Sequence, residues 1–244
     1  LLRPDRVGTR EKLIQLYFTY IMEKNNLKSL FLWGGFILGT VLLLILLAKL
    51  GTNSGQTTNE NTQESKLAEA VNELDHGKGN PQAPAVLVEY SDFQCPACAS
   101  TYPLLKRLSE ELQGTLYIVY RHFPLKQIHP NAEAAAEAAE AAAQQGKFWE
   151  MHDSLFNTQA DWSGLSNPEE FFINLARSLG LDIEKFKTDL KSKETENRVD
   201  RDYKSGIASG IPGTPTFFLN GTRISNPGTY EQFKQLIESA AQNS

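Results

Sequence analysis

The chain of 244 residues has two cysteines, and they lie three positions apart. Cys95 and Cys98 enclose Pro96 and Ala97 in the segment SDFQCPACAS. Two thiols at this spacing can bind a metal, form a structural disulfide or exchange electrons with another pair of thiols. The surrounding sequence discriminates among these three chemistries.

Metal binding and structural cross-linking both account poorly for the spacing. A tetrahedral zinc site needs four ligands, usually as two close pairs. None of the four histidines stands at the spacing of a zinc finger from the cysteines. A structural disulfide across two intervening residues would restrict the unfolded chain little, since the stabilisation grows with the length of the closed loop. Both remain alternatives to a redox role.

A redox role explains the spacing if Cys95 stands at the start of a helix. Unpaired backbone N–H groups and the helix dipole lower the pKa of a thiol at that position, and the thiolate is the reactive species. Cys98 would then lie one turn further into the helix, more shielded from solvent. Pro96 falls in the first turn, where proline is tolerated.

The flanking sequence predicts a strand before the cysteines and a helix after them. The run AVLVEY, residues 85–90, is apolar and β-branched, which is typical of a buried strand. After the cysteines, leucines follow at helical spacing as far as Gly114, and TLYIVYRHF predicts a second strand. The cysteine pair therefore lies at a strand-to-helix junction.

The remainder of this region predicts an α/β sandwich. A mainly helical stretch covers about residues 129–208 and includes the Ala-rich run NAEAAAEAAEAAA. It is followed by GTPTFFLNGTRIS, where Asn220-Gly221 indicates a two-residue hairpin. A last helix begins near Thr229. This order predicts a sheet with helices on its faces and a helical insert over one end.

A membrane anchor is predicted upstream. Residues 30–48, LFLWGGFILGTVLLLILLA, carry no charge, and about 20 apolar residues cross a bilayer as a helix. A buried core helix and a cleaved signal peptide are the alternatives. Because lysine and arginine are concentrated before the run, the positive-inside rule predicts a single-pass membrane protein with residues 1–29 in the cytoplasm and the domain outside. The anchor, assigned to 30–50, would contact membrane lipid.

The other segments follow from this assignment. The chain begins with Leu1, and the basic lead MEKNNLKSLFLW suggests Met22 as the natural start, with residues 1–21 not native. Residues 51–77 are interpreted as a flexible linker in which SKLAEAVNEL forms one short helix. Residues 78–244 form the domain. The mild net charge of -5, with scattered basic residues after position 50, argues against a nucleic-acid surface.

Five segments together resemble one family. EYSDFQCPAC, YRHFPL, HPNAEAAAEAAEAA, GKFWEMHDSLF and GTPTFFLNG are similar, in the same order, to the DsbA-type thiol-disulfide oxidoreductases of bacteria, and particularly to their membrane-anchored members. The resemblance covers about residues 78–243. It implies a thioredoxin fold with an inserted helical domain.

The resemblance also implies roles for five residues. Cys95 corresponds to the exposed nucleophile and Cys98 to its partner cysteine. Pro215 corresponds to the cis-proline that faces the disulfide, with Thr214 before it. Glu89 corresponds to a buried carboxylate that takes a proton from the inner thiol; from the residues alone, a solvated edge glutamate is equally consistent. No cofactor or metal is implied.

The predicted function is disulfide formation in exported proteins, which are unfolded or partly folded when they react. The resemblance implies a redox partner, a quinone-linked membrane enzyme of the DsbB or vitamin K epoxide reductase type. The dipeptide Pro96-Ala97 departs from the Pro-His of strong oxidases in the family, so we expect a less oxidising protein. The alternatives are a reductase of the same fold, a non-catalytic chaperone-like module that binds peptides, and a metal chaperone.

Overall fold

The computed structural model describes residues 12, 14–17, 19–20, 38–44 and 65–243. Contacts divide the chain into two units, Leu1–Thr62 and Gln63–Ser244. The described residues of the first unit are helical. None of the helices in the described ranges combines the length and the apolar character needed to cross a membrane. Of the predicted anchor, 30–50, only residues 38–44 fall within these ranges. Of the predicted cytoplasmic segment, 1–29, residues 12, 14–17 and 19–20 do, and residues 51–64 lie outside them.

Residues 65–243 contain a mixed sheet of five strands in the order β1-β3-β2-β4-β5. The central pair, β2 and β3, is parallel, and the other three neighbouring pairs are antiparallel. The strands are β1 His76–Gly79, β2 Ala85–Ser91, β3 Leu116–His122, β4 Thr216–Leu219 and β5 Thr222–Ile224. The hairpin between β4 and β5 turns at Asn220 and Gly221, whose φ angles of 48° and 78° are those that a two-residue turn requires.

Eight helices pack around this sheet in the same range. Helix α1 connects the two parallel strands, six helices lie between β3 and β4, and α8 follows β5. The predicted α/β class and the helical stretch between the second strand and the hairpin are both present. The helices are α1 Pro96–Glu111, α2 Ala132–Ala143, α3 Phe148–Asn157, α4 Gln159–Trp162, α5 Glu169–Ser178, α6 Ile183–Leu190, α7 Lys193–Ala208 and α8 Tyr230–Gln242.

Both faces of the central strands are buried. On one face Leu87 and Phe217 pack with Leu108 of α1 and Phe233 of α8. On the other face the buried cluster is made by Val88, Tyr90, Val119, Phe123, Ile211 and Phe218. Parallel strands covered on both sides have near-continuous apolar sequences, and the run AVLVEY shows this pattern.

The helical insert has a core of its own. The alanines of α2 that face inward are fully buried, and their small side chains let neighbouring helices approach closely. Trp162, Phe172 and Phe186, each fully buried, supply the bulk of this core. The Ala-rich run is therefore a packed helix, in agreement with the helical stretch predicted from the sequence.

Residues 65–77, which the sequence assigns to the linker, instead contact the sheet. Lys66 forms a β-bridge with Thr222, and the Leu67 N–H donates to the Gly221 carbonyl at 2.9 Å. The predicted helix SKLAEAVNEL is wrong, because residues 65–74 form only this bridge, bends and a turn. Without this segment β5 would be an edge strand with unpaired backbone groups, and the first residues of the segment satisfy them because they do not form a helix.

A buried ion pair also draws this segment into the domain. The Arg121 guanidinium donates two hydrogen bonds, both of 2.9 Å, to the carboxylate of Asp75, and both side chains are almost fully buried. Burial alone would raise the pKa of Asp75, but the hydrogen bonds from Arg121 lower it. A buried arginine needs such a partner, so the domain begins before residue 78.

Candidate active site

The two cysteines lie at the junction of β2 and α1. Cys95 is the N-cap residue of α1, with extended backbone angles (φ -71°, ψ 121°), and Pro96 is the first helical residue. Cys95 is 6% exposed, whereas Cys98 is fully buried. The structure thus places one thiol at the helix start and the other a turn inside, the arrangement that the sequence predicts.

This geometry separates the acidities of the two thiols. The pKa of Cys95 is lowered from 9.0 to about 5, first by the hydrogen bond from the Cys98 thiol and further by the Thr214 side chain and the amides of Cys98 and Ala97, against the opposing effect of burial. The pKa of Cys98 is raised, first by burial and then by its neighbours Cys95 and Glu89. At neutral pH the reduced site therefore holds a thiolate at Cys95 and a thiol at Cys98.

The loop before β4 faces the Cys95 sulfur. The Thr214–Pro215 peptide bond is cis, as the resemblance implies. The Cys95 sulfur lies 3.5 Å from the Thr214 carbonyl oxygen, to which it donates when it is protonated. Side chains hold the loop in place: Asn226 Nδ2 donates to the Pro215 carbonyl at 2.6 Å, and Thr216 Oγ1 to that of Gly213 at 2.7 Å.

Glu89 lies beneath the cysteines on β2. It pairs with Tyr120 and Phe217 on the neighbouring strands and is 3% exposed, so it is a buried acid and not a solvated edge residue. Burial raises its pKa to about 7, with a smaller contribution from the charge of Cys95 and an opposing hydrogen bond from Ser91. A carboxyl group that titrates near neutral pH beside a buried thiol can exchange a proton with it.

A small cavity lies behind Glu89. Its walls include Tyr102, Trp149 and His152, and the charged residues Lys106 and Asp153. Its volume of about 20 Å³ is enough for one water molecule. This cavity is too small to admit a substrate.

The insert fixes the backbone around Cys95 through residues that the sequence did not reveal. Gln159 of α4 donates from Nε2 to the carbonyls of Phe93 and Cys95, at 2.7 and 3.0 Å. The Gln94 side chain accepts from the Asn131 N–H at 2.7 Å and donates to the Ser163 carbonyl at 2.8 Å. Because Gln159 stands 64 positions after Cys95, no local pattern indicates this contact.

Asp92 stabilises the turn that leads into α1. One carboxylate oxygen accepts from the Gln94 N–H at 2.7 Å. The other accepts from the Leu125 N–H at 2.9 Å and lies 2.7 Å from His129 Nδ1. The Asp92 carboxylate therefore forms hydrogen bonds both within the turn before Cys95 and with the segment after β3.

A second cluster of titratable groups lies between β1, β3 and α2. The Nε2 atoms of His76 and His122 lie 2.6 and 2.7 Å from the same oxygen of Glu140. Two histidines and a carboxylate can bind a metal, but here the Arg198 guanidinium lies 3.9 Å from that oxygen. In addition, His122 Nδ1 is buried with no hydrogen-bond partner among the described residues, so a metal at Nε2 would leave its N–H unsatisfied. The donor set fits a hydrogen-bonded network better than a metal centre.

Sequence comparisons match proteins much longer than this chain. The chain is 40% identical over 166 residues to the Na⁺/H⁺ antiporter NhaA 3 of Salinispora tropica, covering 68% of this chain and 24% of that protein. It is 41% identical over 159 residues to NhaA 1 of Mycolicibacterium gilvum, of which it covers 25%. The chain thus spans about a quarter of the length of these curated relatives.

Structural comparisons match the domain. The oxidised BdbD of Bacillus subtilis superposes with a TM-score of 0.62 at 23% identity, covering 69% of this chain and 94% of that one. The α-DsbA1 of Wolbachia pipientis superposes with a TM-score of 0.64 at 20% identity, covering 74% of this chain and 96% of that one. At these identities the similarity shows a shared DsbA-like fold. The family model described as thioredoxin matches residues 71–239, more than half of the chain, and this chain therefore belongs to the thioredoxin family.

Proposed function

We propose that this protein is a thiol-disulfide oxidoreductase that introduces disulfides into exported proteins. One observation carries the proposal: a thiolate at Cys95, with a pKa of about 5, stands beside a buried thiol at Cys98 whose pKa is raised. Such asymmetry supports Cys95 as the sulfur that reacts with other proteins and Cys98 as the one that closes the disulfide.

The oxidase cycle begins with the Cys95–Cys98 disulfide. A substrate thiolate attacks the Cys95 sulfur, the internal S–S bond breaks, and Cys98 departs as a thiolate that takes a proton from Glu89. A second substrate thiolate then attacks the substrate sulfur of the mixed disulfide and releases Cys95 as a thiolate. Two electrons have passed from the substrate to the cysteine pair, and the substrate has gained a disulfide.

The low pKa of Cys95 favours this direction. Cys95 leaves readily in the second step because it is stable as a thiolate, and the same stability favours the reduced form of the enzyme. A protein whose reduced form is stabilised oxidises others. Ala97 contributes no charge beside Cys95, so we expect an oxidant weaker than those with histidine at that position.

The reduced protein must then be reoxidised. We propose that it works on the extracytoplasmic side of the membrane, where disulfides persist, and that a quinone-linked membrane enzyme of the DsbB or vitamin K epoxide reductase type withdraws the two electrons. The anchor predicted at 30–50 would hold both proteins at the same membrane.

The reduction potential measured against glutathione buffers tests the direction. We expect a value above about -230 mV, between those of glutaredoxins and DsbA. A value near or below about -270 mV, that of thioredoxin, would identify a reductase. Oxidation of a dithiol peptide should disappear in the Cys95→Ser variant. If this variant still suppresses the aggregation of an unfolded protein as well as the wild type does, the protein is a chaperone module. Metal bound to the wild-type protein with an affinity that depends on both cysteines would indicate a metal chaperone.

A further inference from the structure

An open groove adjoins the Thr214–Pro215 loop. Its volume is about 440 Å³, and it extends from this loop to β5 and the residues after it, Arg223, Ser225 and Asn226 among them. Thr214 both lines the groove and contacts the Cys95 sulfur. A substrate cysteine that reacts with Cys95 must therefore lie at one end of the groove, with neighbouring substrate residues along it.

Arg223 gives the groove a positive charge. Within residues 65–243 it is the one charged side chain among those that line the groove. It is exposed, and its guanidinium forms neither an ion pair nor a hydrogen bond with the described residues. By contrast, Asn226 Nδ2 and Thr216 Oγ1 already donate to carbonyls of the loop. The donors of Arg223 are thus available to a ligand.

A second positive charge lies beside the same strand. The Lys66 ammonium donates to the Thr222 hydroxyl at 2.7 Å, one residue before Arg223 on β5. The Arg223 N–H is itself fixed to the Ser65 carbonyl at 2.9 Å, which holds the backbone of Arg223 at this edge. Arg223 itself supplies the positive charge of the groove, although the chain as a whole has a net charge of -5.

We propose that Arg223 makes this groove a subsite for an acidic side chain of the substrate, an inference that rests on the proposed function. Arg223 on β5 pairs with Phe218 on β4, and Phe218 lies four residues beyond Thr214. At about 3.3 Å per strand residue, Arg223 is therefore about 13 Å along the strand from Thr214. With the reach of the arginine side chain included, the carboxylate belongs to a residue about two to four positions from the reacting cysteine. The planar guanidinium can accept such a carboxylate through two parallel hydrogen bonds.

The expected preference is modest because Arg223 is exposed. Ion pairs at exposed sites contribute less than about 1 kcal/mol, which corresponds to a two- to fivefold change in kcat/KM. Salt screens such pairs, so the preference should fall as ionic strength rises from about 0.01 to 1 M. A preference due to apolar contact would not fall in this way.

The test uses the full chain and dithiol peptides that differ at one position. Glutamate, glutamine or lysine is placed two, three or four residues from the reacting cysteine, on either side, and kcat/KM for peptide oxidation is measured. We expect the wild type to oxidise the glutamate peptide two- to fivefold faster than its glutamine counterpart at one or more of these positions. Arg223→Glu should reverse the order, and Arg223→Lys should retain part of it. Arg177→Glu, the same change of charge at an exposed residue outside the groove, should leave the ratio unchanged.

The outcomes separate this inference from the function on which it rests. Suppose that all peptides are oxidised, but Arg223→Glu leaves the glutamate-to-glutamine ratio of kcat/KM unchanged, or Arg177→Glu changes it equally. Either result overturns the subsite and leaves the proposed function standing. If no peptide reacts while the Cys95–Cys98 disulfide is intact, the proposed oxidase function fails, and the subsite with it. The thiolate titration of each variant shows that Cys95 itself is unchanged.

Discussion

The reduced protein should gain stability over the oxidised protein as pH rises, because of Cys95. The folded thiol has a pKa of about 5, against 9.0 ordinarily. Between these two values the unfolded chain binds one proton more than the folded chain, so the stability of the reduced form increases with pH. The contribution is complete above about pH 9 and is lost as pH falls through about 5.

The size of this effect follows from the difference in pKa. Four pH units at about 1.4 kcal/mol each give about 5 kcal/mol when the contribution is complete, and about 3 kcal/mol at pH 7. Cys98 does not titrate in this window, because its pKa is raised in the folded protein and ordinary in the unfolded chain. Glu89 is buried in either redox form, so most of its own pH dependence cancels in the comparison.

The assay compares the free energy of unfolding of reduced and oxidised protein between about pH 5 and pH 8, with the alkylation rate of Cys95 followed over the same range. The difference in free energy should grow by about 2–3 kcal/mol between about pH 5 and pH 7, and alkylation should show a midpoint near pH 5. Cys98→Ala removes the largest cause of the low pKa and should move the midpoint upward.

Three results would refute this reasoning. An alkylation midpoint near the ordinary thiol pKa of 9.0 would show that the helix start and the Cys98 thiol do not stabilise the thiolate. Preferential labelling of Cys98 would reverse the assignment of the two cysteines. A difference in unfolding free energy that is constant with pH would contradict the linkage argument independently of either.

Three further variants test the environment of the site. Glu89→Gln should stabilise the protein by about 3 kcal/mol above pH 7, where the wild type buries a charge, and should have no effect below about pH 4.5. Chemical denaturation above pH 7 and below about pH 4.5 measures the two values. An equal effect at both would show that Glu89 does not titrate in this window. Asp75→Asn should cost about 3–5 kcal/mol, because the Arg121 guanidinium then remains buried without a charged partner, and a loss below 1 kcal/mol would place residues 65–77 outside the domain. Gly206→Ala should cost about 1–3 kcal/mol in thermal or chemical unfolding, since the new methyl group would lie 2.6 Å from the buried ring of Phe123, and an unchanged stability would show that this ring can move.

Local patterns predicted the elements that carry the cysteines. The apolar run of β2 and the leucines of α1 place the pair at a strand-to-helix junction, because the side-chain periods of strands and helices are properties of neighbouring residues. The hairpin at Asn220-Gly221 follows from the same kind of rule, since these residues accept positive φ angles at little cost.

Sequence patterns failed where a segment's partner lies far away in the chain. The segment SKLAEAVNEL has helix-forming residues, yet it forms no helix because its first residues pair with β5, more than 140 positions later. The sequence likewise contains no sign that Gln159 supports the Cys95 carbonyl. Backbone pairing and side-chain contacts of this kind outweigh a local helix propensity of a few tenths of a kcal/mol per residue.

The sequence by itself determined that two thiols stand three positions apart at the start of a helix, which suffices for a redox pair. Only the tertiary structure decided how acidic each thiol is. Burial of Cys98 and Glu89 depends on which side chains cover them, and the loop at Thr214, which meets the Cys95 sulfur, lies 119 positions away in the chain. Desolvation and hydrogen bonding act through space, and they separate the pKa values of two chemically identical groups.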